Sequence, residues 1–237
     1  MISLQQKIRL LIVEDEQAIR NGLIDVFVYH GYEVTAHADG QEGLDAALDG
    51  DFDLILLDVM LPRKNGFDIC EAIRQVDRDQ PIIMLTAKTA DDDIIRGLSL
   101  GADDYVAKPF SVAQLVLRVQ AVLRRSQNVM QQQQILYLYS GLEIDTANLC
   151  AMVKSKKVSF TRREIDVLHY LYLHSTRPVP RDELLHKVWG YAKDMDIETR
   201  TVDIHIAKLR RKIELDPKIP VNLITVRGGG YRLQVAT

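Results

Sequence analysis

Charged and hydroxyl residues follow four short apolar runs in the first half of this 237-residue chain. Glu14 and Asp15 follow IRLLIV, Asp58 ends DLILLD, Thr86 ends PIIMLT, and Lys108 follows DYVA. Two carboxylates about 4 Å apart repel each other by roughly 4 kcal/mol at an effective dielectric constant near 20, so an acidic cluster requires a cation. If these runs end at one place in the fold, the sequence predicts a cation site there.

The residue types at these positions suit a divalent metal together with a phosphoryl group. Oxygen ligands with incomplete protein coordination favour Mg²⁺, which retains waters and accepts phosphate oxygens. A lysine and a hydroxyl facing the acids would hold the remaining phosphoryl oxygens. Asp58 is then interpreted as a nucleophile beside a metal. A lone aspartate at a strand end is more often a helix cap or a surface group, but the whole set favours the functional interpretation.

Missing motifs argue against other kinds of phosphate chemistry. The chain has no GxxxxGKS/T and no GxGxxG, which argues against a P-loop nucleotidase and a Rossmann dehydrogenase. Val59 and Met60 follow Asp58, so the second acid of the DxD motif of aspartyl phosphohydrolases is missing. We therefore expect no enzyme that turns over many substrate molecules.

The spacing of apolar residues predicts the elements that position these groups. Five strand-like runs alternate with segments of helical spacing. They cover residues 8–13, 32–38, 53–58, 81–86 and 104–107. This alternation predicts a five-stranded doubly wound parallel sheet, in which ligands bind at the carboxyl ends of the strands. The acids, Thr86 and Lys108 should therefore meet at one edge of the sheet.

Charge divides the chain into two parts. Residues 1–127 carry 13 Lys and Arg against 21 Asp and Glu, a net charge of −8, whereas residues 128–237 carry 17 against 12, a net charge of +5. The polar stretch at 128–134 is typical of a flexible linker. We predict one domain over residues 1–127 and a second over residues 135–237. The modest basic excess is by itself weak evidence for nucleic-acid binding.

Apolar runs and cysteines limit the class of protein. The longest apolar runs are a few residues long, which argues against a transmembrane segment, and the N-terminal run is too short for a signal peptide. Cys70 and Cys150 lack the spacing of a metal site or a disulfide framework. The sequence therefore predicts a cytoplasmic protein without a membrane partner.

The second half has the pattern of a small α+β domain. Residues 135–160 alternate and turn like short antiparallel strands. Thr161 and Glu164 form a capping box that opens a first helix, and a second helix over residues 181–189 stops at Gly190. A third helix is predicted within RTVDIHIAKLRRKI.

The third helix has an apolar stripe and a basic face at about 100° per residue. The stripe, predicted to be buried, comprises Val202, Ile206, Leu209 and Ile213. The opposite face is centred on Ile204 and also contains Arg200, Thr201, Ala207, Lys208 and Arg211. Such a face suits a major groove, because Arg and Lys reach phosphates or guanine edges while an aliphatic group touches a thymine methyl. The alternative is a solvated charged face.

The segment after this helix favours the groove interpretation. ITVRGGGYRL, residues 224–233, predicts a strand, a glycine turn and a strand, with Arg227 at the tip. The glycines precede a strand, so they indicate a hairpin turn rather than a phosphate-binding loop. Such a hairpin can place Arg227 in a minor groove. The second domain is therefore predicted to be a winged helix-turn-helix.

Four motifs of the first half, VEDE, LLDVMLPRKNGF, MLTAK and GADDYVAKPF, resemble the receiver domain of bacterial two-component response regulators over residues 7–125. The resemblance implies a flavodoxin-like fold in which Asp58 accepts a phosphoryl group from a sensor histidine kinase. Thr86 and Lys108 would bind the phosphoryl oxygens. A Mg²⁺ ion is also implied, with Asp15, Asp58, the backbone carbonyl of Met60 and, through a water, Glu14 as its ligands.

The same resemblance implies a switch and a homodimer. Tyr105 corresponds to an aromatic residue that rotates inward when Thr86 moves toward the phosphoryl group; an ordinary half-exposed strand aromatic is the alternative. The Lys108–Pro109 bond is expected to be cis. Phosphorylation should stabilise a dimer through the fourth helix, fifth strand and fifth helix of the receiver. Candidate interface pairs are Asp104 with Arg118, Asp103 with Arg125, and Ile94 with Gln114. Ile94 and Gln114 occupy positions at which the family usually has an ion pair.

In the second half, LLHKVWGY, RTVDIHIAKLRRKI and VRGGGYRL resemble the DNA-binding domain of the OmpR/PhoB family over residues 135–235. The implied partner is double-stranded promoter DNA with direct-repeat half-sites about one helical turn apart. The loop from Tyr191 to Ile197 corresponds to the family's contact with RNA polymerase. A half-buried structural histidine is the alternative for His205. By resemblance, Ile204 and Lys208 would read bases, Arg227 would enter the minor groove, and Arg200, His205, Arg210 and Thr225 would hold phosphates.

Three functions remain as hypotheses. The leading one is a transcription regulator controlled by phosphorylation. A second is a DNA-binding regulator controlled by a partner protein or a ligand, with the acidic residues idle. A third is an adaptor or phosphate-storage protein that does not bind DNA. The complete acidic set argues against the second, and the basic helix and hairpin argue against the third.

Overall fold

The computed structural model describes residues 7–86, 97, 98, 100–126, 134–191 and 199–236, without the side chains of residues 125 and 126. The chain divides into two compact units, Met1–Leu123 and Arg124–Thr237. The predicted linker at 128–134 lies outside the described residues except for Gln134. In the described part of the chain, no helix combines the length and the apolar character that crossing a membrane requires.

The first unit is a parallel sheet with intervening helices. Its strands run in the order β2-β1-β3-β4-β5, and all neighbours are parallel. The predicted doubly wound sheet and its five strands are confirmed; the predicted helix between β4 and β5 lies mostly outside the described residues. The strands are β1 (Arg9–Val13), β2 (Glu33–His37), β3 (Leu54–Asp58), β4 (Ile82–Thr86) and β5 (Asp104–Ala107). The helices are α1 (Gln17–Tyr29), α2 (Gly40–Asp49), α3 (Gly66–Val76) and α4 (Val112–Ser126), which corresponds to the predicted fifth helix.

The two central strands explain the uninterrupted apolar runs of the sequence. Every residue of β3 and β4 is buried, as expected for parallel strands covered by helices on both faces. On one face, Leu56 packs in a cluster with Phe27 of α1 and Val119 of α4. Asp58 is the last residue of this buried run, so the core holds its backbone in place.

The second unit is the predicted winged helix-turn-helix. A four-stranded antiparallel sheet precedes three helical segments, and a two-stranded antiparallel hairpin follows them. The sheet contains β6 (Ile135–Tyr137), β7 (Glu143–Asp145), β8 (Cys150–Val153) and β9 (Lys156–Ser159). The helices are α5 (Arg162–Leu173), α6 (Arg181–Leu184) and α7 (Arg200–Ile213), and the hairpin is β10 (Leu223–Val226) with β11 (Gly230–Leu233).

Helix ends in the second unit follow the sequence signals. The capping box is present: Glu164 N donates to Thr161 Oγ1 at 3.4 Å, and Thr161 N donates to Glu164 Oε2 at 2.8 Å. Helix α6 continues as a π-helical segment, Leu185–Trp189, which ends at Gly190 with a φ of 77°. The predicted second helix is confirmed, although its π-helical half was not predicted. Trp189, the single tryptophan, is fully buried, so its fluorescence reports on this unit.

Two glycines of the first unit give opposite predictions for alanine substitution. A Cβ at Gly66 would lie 2.1 Å from the carbonyl oxygen of Asp58, so Gly66→Ala should destabilise the unit by about 1–3 kcal/mol, as overpacked sites do. A Cβ at Gly22, inside α1, meets nothing within 4 Å among the described residues, and Gly22→Ala should stabilise it by about 0.5–1 kcal/mol. Urea denaturation followed by circular dichroism measures both. Effects of the same sign would contradict this packing.

Candidate functional site

Strand register brings the predicted site residues to one edge of the parallel sheet. Val13 pairs with Leu57, so Glu14 and Asp58, which follow them, lie side by side. Thr86 pairs with Ala107, which places Lys108 beside the end of β4. The predicted meeting of the acids with Lys108 is confirmed for Glu14 and Asp58 by direct contacts between the side chains.

Lys108 bridges two buried carboxylates. Its Nζ lies 2.6 Å from Asp58 Oδ2, and 2.8 and 2.7 Å from the two carboxylate oxygens of Glu14. The Glu14 side chain is 0% exposed and that of Asp58 is 4% exposed. The backbone N–H of Met60 donates to Asp58 Oδ1 at 3.0 Å. These partners are needed because a buried charge without one is strongly unfavourable.

The pKa shifts in this site follow from burial and crowding of charge. Burial raises the pKa of Glu14 to about 7; the hydrogen bond from Lys108 opposes this shift and the charge of Asp58 adds to it. Burial lowers the pKa of Lys108, but its hydrogen bonds to Asp58 and Glu14 outweigh burial and leave the pKa raised. The lysine is therefore a fixed cation, and the two acids compete for it.

Asp15 completes a group of three acids. One carboxylate oxygen from each of Glu14, Asp15 and Asp58 lies within 4.8 Å of the others, with Asp15 exposed. Three carboxylates against one lysine leave excess negative charge, and an oxygen-only set of donors is what Mg²⁺ selects. This site, the acidic pocket, is formed by Glu14, Asp15, Asp58 and Lys108. It therefore fits a divalent cation.

The loop between β3 and α3 is held by contacts within itself and with the start of α2. Gly66 N donates to Val59 O at 2.9 Å. Arg63 pairs with Asp39, whose pKa it lowers, and lies 3.1 Å from Glu42. Arg63 has a φ of 61°, a left-handed conformation that is uncommon outside glycine. This anchoring was not predicted, and it fixes the loop that carries the carbonyl of Met60.

Thr86, the Lys108–Pro109 bond and Tyr105 are the remaining predicted features of the receiver site. Thr86 is 3% exposed, and its carbonyl accepts the N–H of Lys108 at 2.7 Å. The Lys108–Pro109 peptide bond is cis, as predicted. Tyr105 is half-buried on β5, which both interpretations of this residue allow, so its role as a switch stays a prediction.

The aspartates predicted for a dimer interface are paired within the chain. Arg118 Nη1 lies 2.7 Å from Asp104 Oδ2. Asp103 is buried, and its Oδ2 accepts from Arg74 Nη2 at 3.1 Å and from the N–H of Ile82 at 2.9 Å. Asp103 is thus held inside the unit, which its assignment to an interface did not anticipate, and its pairing with Arg125 between two copies stays a prediction.

Arg74 was missed because it lies in the last turn of α3, where the sequence shows an ordinary helix-terminal cation. Its guanidinium is buried and also donates from Nε to the carbonyl of Gly101 at 2.9 Å. Of the other predicted interface residues, Gln114 is exposed. Ile94 and the side chain of Arg125 lie outside the described residues.

Helix α7 buries a wider face than its apolar stripe predicts. The stripe itself is buried as expected. Ala207 and Arg211 are exposed and Arg200 is half-buried, so part of the predicted basic face is confirmed as accessible. The expectation of an exposed face centred on Ile204 is wrong, because the structure also buries Thr201, Ile204, His205 and Lys208.

Lys208 is buried because it neutralises Glu164. Its Nζ lies 2.9 Å from Glu164 Oε1, and the Nζ of Lys212 lies 2.6 Å from Oε2. Burial raises the pKa of Glu164, but the charges of Lys208 and Lys212 outweigh burial, so the pKa is lowered. Residues four apart lie on one side of a helix, so the sequence indicated that Lys208 and Lys212 share a side of α7. It did not indicate that their partner is Glu164 on α5.

His205 is an uncharged core residue. It is 1% exposed, its Nδ1 lies 2.9 Å from the carbonyl oxygen of Thr201, and its ring packs edge-on against Trp189 at 5.0 Å. Burial lowers the pKa of His205 to about 4, so the imidazole is neutral near pH 7. This supports the structural alternative for His205 and corrects its assignment to a phosphate.

The hairpin of β10 and β11, the wing, presents Arg227 as an exposed residue directly after β10. Arg210 donates from Nε to the carbonyl of Leu223 and from Nη2 to Thr225 Oγ1, both at 2.8 Å. Arg210 and Thr225, both predicted to hold phosphates, are thus bonded to each other. In the predicted polymerase loop, Tyr191 is buried and residues 192–197 lie outside the described residues.

Both units match known protein families. Residues 10–120 match the response regulator receiver domain, and residues 155–233 match the C-terminal domain of transcriptional regulatory proteins. The chain is a two-component response regulator of the OmpR/PhoB family. As such, the regulator is a transcription factor and not a classical enzyme, and its two domains imply a histidine kinase and DNA as partners.

Relatives match the regulator along nearly its full length. It is 39% identical over 240 residues to the probable transcriptional regulator ycf27 of Guillardia theta, covering 100% of this chain and 94% of that one. It is 40% identical over 222 residues to the response regulator ArlR of Staphylococcus haemolyticus, covering 94% and 97%. The solved structure of a RitR mutant, 29% identical, superposes with a TM-score of 0.71 over 97% of this regulator and 100% of that chain.

We predict that Lys108→Ala destabilises the receiver by about 2–4 kcal/mol in EDTA, because two buried carboxylates lose their cation. Millimolar Mg²⁺ should recover part of this loss, since a divalent ion supplies positive charge to the same oxygens. Urea denaturation by circular dichroism is the measurement. Lys7→Ala, at an exposed position, is the control. Equal stability of the two variants in EDTA would refute the prediction.

We predict that Glu164→Gln destabilises the winged-helix unit by about 3–5 kcal/mol, because Lys208 and Lys212 lose a buried counter-charge. The lowered pKa of Glu164 also gives a pH dependence. Its stabilisation is present above the unfolded value of 4.5 and is lost as pH falls through the lower folded pKa.

The urea midpoint of Trp189 fluorescence, followed as the pH is lowered through and below 4.5, measures this effect. Wild type should lose stability over that range, and Glu164→Gln should lose less, because the contribution of Glu164 is missing while those of other groups such as His205 remain. Glu143→Gln, at an exposed position in the same unit, should behave like wild type. A Glu164→Gln variant with the acid sensitivity of wild type would show that the ion pairs do not stabilise the unit.

Proposed function

We propose that Asp58 accepts a phosphoryl group from a sensor histidine kinase and that this modification promotes binding of the regulator to promoter DNA. The observation that carries the proposal is the bridge from Lys108 to buried Asp58 and Glu14, with Asp15 near enough for three acids to share one cation. A carboxylate between a lysine and a site for a divalent ion has the surroundings that phosphoryl transfer requires.

Mg²⁺ is the proposed cofactor of the acidic pocket. Its ligands would be Asp15, Asp58 and the backbone carbonyl of Met60, with Glu14 acting through a water. When bound, the ion would neutralise charge on the phosphoryl oxygens. The loop anchored by Arg63 would hold the Met60 carbonyl beside Asp58.

In the proposed transfer, a carboxylate oxygen of Asp58 attacks phosphorus. The new O–P bond forms as the P–N bond to the kinase histidine breaks, and the histidine nitrogen keeps the electron pair. The product is an acyl phosphate, which the regulator would also hydrolyse. Lys108, already 2.6 Å from Asp58, and the hydroxyl of Thr86 would hold the phosphoryl oxygens through charge-assisted hydrogen bonds.

Thr86 and Tyr105 are the proposed connection between the phosphoryl group and the dimer surface. Thr86 would move toward the phosphoryl group, and Tyr105 would rotate inward into the space it leaves. A shift from 1:99 to 99:1 in favour of the active form requires about 5.5 kcal/mol of differential stabilisation. A phosphoryl dianion beside a lysine, a hydroxyl and a divalent ion is a source of that size.

The active form is proposed to be a homodimer through the fourth helix, fifth strand and fifth helix of the receiver. Arg118 would exchange its contact with Asp104 between copies. Asp103 would first have to leave Arg74 before it could pair with Arg125, so we assign the larger contribution to Asp104. Ile94 and Gln114 would add contact without an ion pair.

The recognition helix α7 and the wing are proposed to bind direct-repeat half-sites, with Arg200 and Arg211 at phosphates and Arg227 in the minor groove. Ile204 and Lys208 remain the proposed base readers. Lys208 would first leave Glu164, which keeps Lys212 at 2.6 Å and so is not left without a counter-charge. The loop from Tyr191 to Ile197 is the proposed contact with RNA polymerase.

Acetyl phosphate with Mg²⁺ tests the phosphorylation. Wild type should gain the mass of one phosphoryl group, whereas Asp58→Asn should gain none, because it lacks the nucleophilic carboxylate. Intact-protein mass spectrometry is the measurement. Asp49→Asn, at an exposed position, should be modified like wild type. Modification of Asp58→Asn at the rate of wild type would overturn the assignment of the phosphoacceptor.

A duplex selected by the phosphorylated full-length regulator from a randomised library tests the DNA binding. Arg227→Ala should weaken binding to that duplex about tenfold and reduce the salt slope of the binding constant by about 1. Lys157→Ala, exposed on β9, should change neither. Failure to enrich any sequence would contradict the proposed function, and enrichment that does not depend on Asp58 would favour control by a partner or ligand.

A further inference from the structure

Three side chains form a closed hydrogen-bonded ring between the recognition helix and the wing. The hydroxyl of Tyr231 donates to Asp203 Oδ1 at 2.6 Å. Arg181 donates from Nε to the same oxygen at 2.6 Å, and from Nη2 to the Tyr231 hydroxyl at 3.0 Å. These residues belong to β11, the first turn of α7 and the start of α6, so three elements meet at one phenol oxygen.

Arg210 makes a second connection, two turns further along α7. It donates to the carbonyl of Leu223 and to Thr225 Oγ1, both on β10, and its guanidinium carbon lies 5.8 Å from the centre of the Tyr231 ring. Asp203 and Arg210 are seven residues apart and therefore lie on the same side of the helix. The helix thus contacts the hairpin at two levels and on both strands.

The surroundings of Tyr231 keep its hydroxyl protonated, so that it can donate a hydrogen bond. The residue is 4% exposed, and burial, together with the hydrogen bond to Asp203, raises its pKa to about 12. The guanidinium carbon of Arg181 lies 4.8 Å from the ring centre, a cation–π distance. Tyr231 is therefore fixed both at its ring and at its hydroxyl.

These contacts lie close to the tip of the wing. Val226 pairs with Gly230, so Arg227 is the first residue of the turn. Thr225, which Arg210 holds, precedes Arg227 by two positions. A change in how the helix holds β10 and β11 would therefore move the residue proposed to enter the minor groove, while leaving the exposed residues of α7 in place.

We propose that Tyr231, Asp203, Arg181 and Arg210 form a wing clamp, a set of positioning residues that fixes Arg227 relative to the recognition helix and couples reading of the two grooves. The inference rests on the proposed DNA binding and deepens it. It assigns the half-buried Arg210 to contacts with the wing strand β10, where the resemblance would have it hold a phosphate. No residue of the clamp needs to contact DNA for it to act.

A double-mutant cycle with the full-length regulator and the selected duplex tests the clamp. Arg227→Ala should weaken binding about tenfold in the wild-type background. In the Tyr231→Phe background, which removes the hydroxyl and keeps the ring, the same change should weaken binding only about two- to threefold. The decrease in salt slope caused by Arg227→Ala should shrink in parallel.

Tyr170→Phe is the matched control, because the hydroxyl of Tyr170 also donates to a carboxylate, Glu183, at 2.7 Å, and that carboxylate also accepts from Arg177, which lies outside α7 and the wing. In that background Arg227→Ala should keep its full tenfold effect. Trp189 fluorescence confirms that each variant is folded at the assay temperature. If Tyr231→Phe does not fold, Asp203→Asn replaces it, with the same expected loss of coupling.

The outcomes separate the clamp from the proposed function. If Arg227→Ala weakens binding equally in the wild-type and Tyr231→Phe backgrounds, the clamp only supports folding and the inference is overturned. If wild type binds no duplex, the proposed function fails first and the inference fails with it. Strong coupling with Tyr231 and none with Tyr170 supports the clamp.

Discussion

The buried contact of Lys108 with Glu14 and Asp58 is the interaction on which the proposed activity of this regulator depends. It joins residues that follow β1 and β5 across the end of β3, so one ammonium group connects three of the five strands. Any group that adds charge at Asp58 must change these bonds. The same contacts that make two buried acids tolerable would therefore also make the sheet edge responsive to the proposed phosphorylation.

The winged-helix unit uses internal charge in a comparable way. Glu164 holds two lysines of the recognition helix, and Asp203 holds Arg181 together with the hydroxyl of Tyr231. These acids neutralise part of the positive charge of the domain. What is left at the surface is a smaller set, with Arg211 on the helix and Arg227 on the wing. Basic composition alone therefore overstates the surface available to a duplex.

The sequence was informative where structure is decided locally or by strand order. Apolar runs ended by polar groups predicted the parallel sheet and the meeting of the acids with Lys108, because parallel strands bring their carboxyl ends to one edge. The capping box and Gly190 marked helix ends because each meets a requirement of the backbone at its own helix terminus. At these helix ends a residue and the backbone group that it satisfies lie within a few positions.

The errors come from pairs that are distant in the chain. The burial of Lys208 depends on Glu164 in another helix, and that of Asp103 depends on Arg74, 29 residues away. A helical wheel ranks residues by type and assumes that charge faces solvent. It has no means of recognising that a lysine or an aspartate has a buried partner of opposite sign, so it placed the accessible face of α7 wrongly.

The complete burial of β3 has a consequence for the motions that accompany switching. Amide protons in a central strand covered on both sides exchange with solvent only in the rarest, most global openings. Asp58 thus belongs to the part of the receiver that opens least often. Met60 and Arg63, a few residues further along the chain, belong to an exposed loop. If Asp58 is phosphorylated as proposed, its backbone should therefore stay in place, and the conformational response should be found in other residues of the receiver.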